Sequence, residues 1–200
     1  MALAVLALLF ERPMHPYELA ATMRERRKEE SIKLNFGTLY SVVQSLEKRE
    51  LVRVKEVVRE GRRPERTIYE ITEAGKLELQ DWLSELVSVP VREYTGFEAG
   101  LSLLPVLEPG VAVRLLEERR ARLEQGLAQA EAAWGVAVKD GLPRLLMIEA
   151  EYVVVLRRAE LEWVGGLVEE IRGGSFDGLE MWREWHRRIG DGLPMEAEEG

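Results

Sequence analysis

The chain has 200 residues, 46% of them hydrophobic, and a formal charge of −8, so a substantial core can be buried and disorder is not the default. It has no cysteine and only two histidines, His15 and His186, which excludes disulfides and thiolate chemistry and leaves too few imidazoles for an ordinary zinc site. The acidic sum hides a basic first third: 14 Lys/Arg against 9 Asp/Glu from Arg12 to Arg66, then 14 against 26 from residue 67 onward.

The opening "MALAVLALLF" has no basic leader, and its apolar run is far shorter than the ~20 residues that span a bilayer. It predicts a helix buried nearly all round and ended by Pro13, in a cytoplasmic protein with no membrane partner. In "HPYELAATMRERRKEE", Pro16 suits a first helical turn, and Tyr17, Leu19, Ala20 and Met23 mark one face of a second helix. After a polar connection, "FGTLYSVVQSLEKREL" places Phe36, Leu39, Val43 and Leu46 at spacings of three and four. Thr38, Ser41, Gln44, Ser45 and Lys48 fall on the other side of this third helix, a polar face without carboxylates.

The period then changes. "LVRVKEVVR" and "TIYEI" are rich in β-branched and aromatic residues and read as two strands joined by a turn at Gly61 and Pro64. Arg59, Arg62, Arg63 and Arg66 crowd the tip of that hairpin. Thr72 is a predicted N-cap for "EAGKLELQDWLSELV". Composition shifts near Pro90, where prolines and glycines predict a linker, a short helix and a turn. Two long helices follow, from Val111 to about Val138 and from Arg144 to about Arg172, separated by Gly141 and Pro143 and expected to pair as an antiparallel hairpin. "SFDGLEMWREWHRRIGDG" predicts a short aromatic helix before a disordered tail.

Three helices, a hairpin and another helix within about 85 residues is the order of a winged helix-turn-helix. In that arrangement the third helix enters a DNA major groove and the hairpin tip follows the backbone, where guanidiniums donate paired hydrogen bonds to phosphate and release counterions. The expected fold is mainly α with a small β-hairpin wing, an N-terminal winged helix-turn-helix domain over residues 1–88 and an all-α C-terminal dimerisation region over 89–176. Residues 177–200 are expected to be an extension, partly disordered.

"MHPYELAATM", "NFGTLYSVVQSLEKRELV", "GRRPERTIYEITEAG" and "FEAGLSLL" together resemble PadR-type transcriptional regulators, in the long form whose helical C-terminal region is similar to that of virulence activators. The resemblance is dense from about Leu3 to Leu86 and looser to about Phe176. It implies that Thr38 and Tyr40 lie on or near the DNA-reading helix, that Tyr17 and Leu39 belong to the signature segments, and that Arg62, Arg63 and Arg66 lie on the wing. It further implies a homodimer assembled by the terminal helices and a response to small aromatic molecules. Phe36 stands where many relatives have proline, and Glu50 where glycine often ends the helix.

Taken together, the expected double-stranded DNA contacts are Tyr17, Lys33, Asn35, Thr38, Tyr40, Ser41, Gln44, Arg62, Arg63 and Arg66. Tyr17 and Tyr40 can equally pack as core aromatics that keep their hydroxyls satisfied. Trp134, Tyr152 and Trp163 are the candidate effector pocket, although aromatics at helical spacing also suit a core or a dimer contact. A lone histidine at a helix start, such as His15, reads as structural. Gly165 and Gly166 in mid-helix point to a kink or a close helix contact. No nucleophile elbow, phosphate-binding glycine loop or metal set is present, so neither a catalytic residue nor a cofactor is expected. The rival to a DNA-binding repressor is a winged-helix adaptor that binds another protein.

Overall fold

The computed structural model describes residues 1–26, 28, 35–59 and 65–191. Two units emerge, Met1–Arg92 and Glu93–Gly200.

In the first unit the apolar opening forms α1 (Ala2–Glu11). It touches α2 (Pro16–Glu25), α3 (Leu39–Lys48), β2 (Arg66–Ile71) and α4 (Glu73–Ser88), which is why it is apolar on every side. Val5, Leu6 and Leu9 are buried in a core shared with Leu19, Met23, Leu39, Val43 and Leu46. The imidazole of His15 caps α2, its Nδ1 accepting the Tyr17 N–H at 3.0 Å, and Pro16 occupies the first turn, where its missing N–H costs nothing. Arg26 donates to both oxygens of Glu11, at 2.5 and 2.8 Å, joining the ends of α1 and α2 and holding the Glu11 carboxyl below its usual range.

α3 is preceded by a 3₁₀ turn, Phe36–Thr38, and ends in a reversal centred on Glu50, which has a φ of 60°. The Leu51 N–H donates to Leu46 O at 3.0 Å and the Glu50 N–H to Glu47 O at 2.8 Å, the paired bonds of a Schellman ending. That position favours glycine, because a Cβ in the left-handed region costs roughly 1–2 kcal/mol, against which glycine's greater freedom in the unfolded chain costs roughly 0.5–1 kcal/mol. Glu50→Gly is therefore expected to stabilise the first unit by about 0.5–1 kcal/mol, read as a raised urea midpoint at constant slope. An unchanged or lowered midpoint would show that the glutamate side chain makes up for its backbone.

β1 (Val52–Val58) pairs antiparallel with β2 from Val52↔Ile71 to Val58↔Arg66, with a register shift between Val54 and Glu56. Buried Met14, between α1 and α2, exchanges two 3.0 Å backbone hydrogen bonds with Tyr69 and so adds a third edge to the hairpin. A single bridging residue carries no alternation, and sequence periodicity did not disclose it. Thr72 caps α4 as expected, accepting the Gly75 N–H at 3.0 Å, while its hydroxyl reaches Glu50 O at 2.7 Å. This one side chain fastens the start of α4 to the end of α3.

In the second unit α5 (Gly96–Ser102) is capped by Thr95, and α6 (Pro109–Lys139) and α7 (Ile148–Gly173) form the predicted antiparallel hairpin. Ion pairs cross it in antiparallel order, Glu117 with Arg172 and Glu131 with Arg158. α7 runs through Gly165 and Gly166 without interruption, and an added Cβ at either would meet nothing within 4 Å, so no close contact inside this chain explains them. α8 (Leu179–Gly190) is not an appendage. Leu179 and Trp182 are buried with Ala112, Leu116, Val164, Val168 and Ile171, and the Trp182 indole donates to Leu107 O at 2.8 Å. The boundary expected at residue 176 therefore falls inside the core of this unit, and the tail expected to be disordered lies, from residue 192 on, outside the described residues. No described helix is long and apolar enough to cross a membrane.

Candidate nucleic-acid interface

The amphipathic pattern of α3 is realised as predicted: Leu39, Val43 and Leu46 are buried, while Thr38, Tyr40, Ser41, Gln44 and Ser45 are exposed. Local hydrogen bonds fix how this surface begins. Asn35 Oδ1 accepts the Gly37 N–H at 3.1 Å, and Asn35 O accepts both the Thr38 N–H at 3.0 Å and the Thr38 hydroxyl at 2.9 Å. The Ser41 hydroxyl donates to Thr38 O at 3.0 Å. Asn35 thus shapes the turn that starts the helix, and Thr38 and Ser41 keep oxygen lone pairs for a ligand while their protons are engaged at home.

Tyr17 from α2 and Tyr40 from α3 are 73% and 56% exposed, which rules out the core role for either ring. Together with His15, Glu18, Ala21, Glu65 and Arg66 they line an open cleft of about 680 Å³. The His15 and Tyr40 rings meet edge to face, with centroids 6.4 Å apart. Burial, then the charge of Arg66, pushes the His15 pKa below its ordinary 6.5, with Glu18 opposing. The shift favours the neutral imidazole, in which Nδ1 caps α2 and Nε2 carries the proton. The family resemblance points to Tyr17, Tyr40 and Arg66 but not to the two carboxylates beside them. Glu18 pairs with Arg12 at 2.6 Å, and Glu65 with Arg59 at 3.9 Å, so each acid is balanced by an arginine at the rim. Adjacency to Tyr17 and Arg66 was the available signal. Lys33, Arg62, Arg63 and the side chain of Phe36 lie outside the described residues.

Residues 5–81 match the family model of the transcriptional regulator PadR-like family. That stretch, most of the first unit, is similar to the PadR-like family. No curated protein sequence matches the chain. Among solved structures, PadR of Bacillus subtilis in complex with operator DNA superposes with a TM-score of 0.68 at 16% identity, covering 85% of this chain and 98% of that one. The same protein in complex with p-coumaric acid gives 0.70 at 15% identity, covering 85% and 97%. The Vibrio cholerae virulence activator AphA gives 0.63 at 19% identity, covering 86% and 99%. At such identities the likeness establishes the shared fold, a mainly helical chain with a winged helix-turn-helix and C-terminal helices.

In the second unit, the three aromatics expected to share a pocket do not meet within the chain. Trp134 lines a shallow cleft of about 300 Å³ with Val154 and Val155, which neither Tyr152 nor Trp163 lines. Trp163 packs edge to face on Phe97, with centroids 6.3 Å apart. Tyr152 is 64% exposed. Although Tyr152 and Trp163 fall on the same face of α7, eleven residues of helix separate them by about 16 Å, too far to clasp one small molecule. Helical spacing gives both the face and the distance along it, and leaves open what each ring packs against.

Proposed function

We propose that this PadR-like protein is a sequence-specific DNA-binding regulator that works as a homodimer and represses transcription from a palindromic operator. The observation that carries the reading is the exposed polar face of α3, flanked by Tyr17, Tyr40 and Arg66. Exposed tyrosine hydroxyls and a wing guanidinium suit phosphate oxygens on either side of a groove, while Gln44 and Ser41 suit base edges inside it. Asn35 acts through the turn it closes, and Lys33, Arg62 and Arg63 add basic charge by sequence position.

Two reading helices would enter successive major grooves, with half-site centres about 10 base pairs apart or a multiple of that. Pairing of two copies is supported by the large apolar side chains a single chain leaves uncovered on the α6–α7 hairpin, among them Val136, Leu145, Tyr152, Val155 and Trp163. A small aromatic ligand belongs to this reading by analogy with the B. subtilis protein solved with p-coumaric acid. Such a ligand releases DNA only if it binds the DNA-free state more tightly. A cytoplasmic site of action belongs to the same reading.

The test is to incubate the protein with fragments of its own genome at about 0.15 M salt, where nonspecific phosphate contacts are weakened, and to sequence what is retained. An inverted repeat among the retained fragments is the expected result. Uniform weak retention would discard specific DNA binding and favour the protein-binding adaptor.

A further inference from the structure

Arg119 lies three and four residues before Arg122 and Leu123, and Gly126 four and three residues after them, so a single stripe of α6 presents two guanidiniums, an apolar side chain and a bare stretch of backbone. Arg157 of α7 faces this stripe, and together the five line a cleft of about 290 Å³. At Gly126 a Cβ would meet nothing nearer than Arg157 Nη1 at 3.9 Å, so the missing side chain keeps the floor open.

The three arginines are held differently. The guanidinium of Arg119 lies 3.6 Å over the Phe97 ring, and its Nε donates to Glu160 Oε1 at 2.6 Å, which fixes its plane. Arg122 makes a loose 3.5 Å contact with Glu118 and is 79% exposed. Arg157 has no carboxylate partner among the described residues. It donates one bond of 3.3 Å to Gly126 O, a carbonyl inside α6, and the rest of its five N–H donors are unspent.

Scarcity of acids is not the reason. Residues 93–200 hold 21 Asp/Glu against 12 Lys/Arg, and the neighbouring Arg158 takes Glu131 at 2.5 Å. A surplus of guanidinium donors gathered over an open floor, in a unit whose sequence holds more carboxylates than cations, matches an anion brought from outside.

We propose that this cleft binds the carboxylate or phosphate group of a small metabolite. Arg157 and Arg122 take the oxyanion, Arg119 is a positioning residue braced by Phe97 and Glu160, and Leu123 contacts the apolar body. The proposal concerns the second unit and does not rest on DNA binding.

Calorimetric titration of the full chain, without DNA and in low-chloride buffer, tests it with three probes: inorganic phosphate, citrate and benzoate. Saturable binding of at least one probe is expected, and phosphate against the two carboxylates distinguishes the sources of the anion. Arg157→Gln and Gly126→Leu should each weaken that binding at least tenfold, the first by removing donors and the second by filling the floor. Arg183→Gln, on α8, should leave it unchanged. Failure of all three probes to bind saturably would overturn the proposal, as would equal binding by all the variants. Weakening by Arg157→Gln alone would place the anion outside this cleft and overturn it too.

Discussion

Replacing Gly75 by alanine is expected to destabilise the first unit by roughly 3 kcal/mol, near the upper end of what one inserted methyl does in a packed interior. The added Cβ would stand 2.0 Å from Leu51 O and 2.9 Å from Leu51 C, both backbone atoms, and 2.8 Å from a side-chain carbon of Ile71. No rotamer change can relieve a clash with a carbonyl. Moving α4 away would break the Thr72 contacts with Glu50 O and Leu51 O and shift the end of α3, so the damage would reach the reading helix. Hydrogen exchange resolved by peptide separates this unit from the second: α3 and α4 amides should lose protection while α6 and α7 keep theirs. Gly96→Ala is the control, since a Cβ there meets nothing within 4 Å. Equal protection in the two variants would mean that α4 can slide without cost.

The second large effect concerns the interface. Arg66→Ala is expected to lower affinity about tenfold on every DNA sequence and to reduce the salt slope by about one, the signature of a lost phosphate contact. Gln44→Ala should act differently. It is expected to remove about 1–3 kcal/mol of discrimination at one base position while leaving the salt slope as it was. Both side chains are exposed, and Arg66 lies at the start of β2 and Gln44 on the solvent face of α3, so neither substitution disturbs the core. Titrations of the two variants on a retained fragment and on a scrambled one, at several salt concentrations, distinguish the roles. An unchanged slope for Arg66→Ala removes it from the phosphate-binding set, and an unchanged base preference for Gln44→Ala removes that residue from base reading.

Much of the framework was legible because its signals are local. The stripe of Leu39, Val43 and Leu46, the Thr72 cap, the first-turn Pro16 and the alternation that marks β1 and β2 each depend on residues within a turn or two of one another. Periodicity and capping chemistry operate over that range. The apolar opening declared α1 to be buried, and the charge excess before residue 67 marked the end of the chain that suits phosphate.

Other features could not be read this way, because they join residues far apart in the chain. Met14 pairs with Tyr69 only after α1 has placed it beside β2, and Gly75 is indispensable only because Leu51 O lies where its side chain would be. Tyr17 and Tyr40 looked equally fit for a core or a surface until helix packing put both on one open cleft with Arg66. Trp134, Tyr152 and Trp163 shared a spacing but not a place, since position in a helix fixes face and axial distance and leaves the packing partner undecided. The amino-acid order by itself determined which segments are helix or strand and which faces are apolar, through short-range sterics and burial. The tertiary structure alone decided which of those faces meet, because that depends on close packing among side chains that the chain brings together only once it has folded.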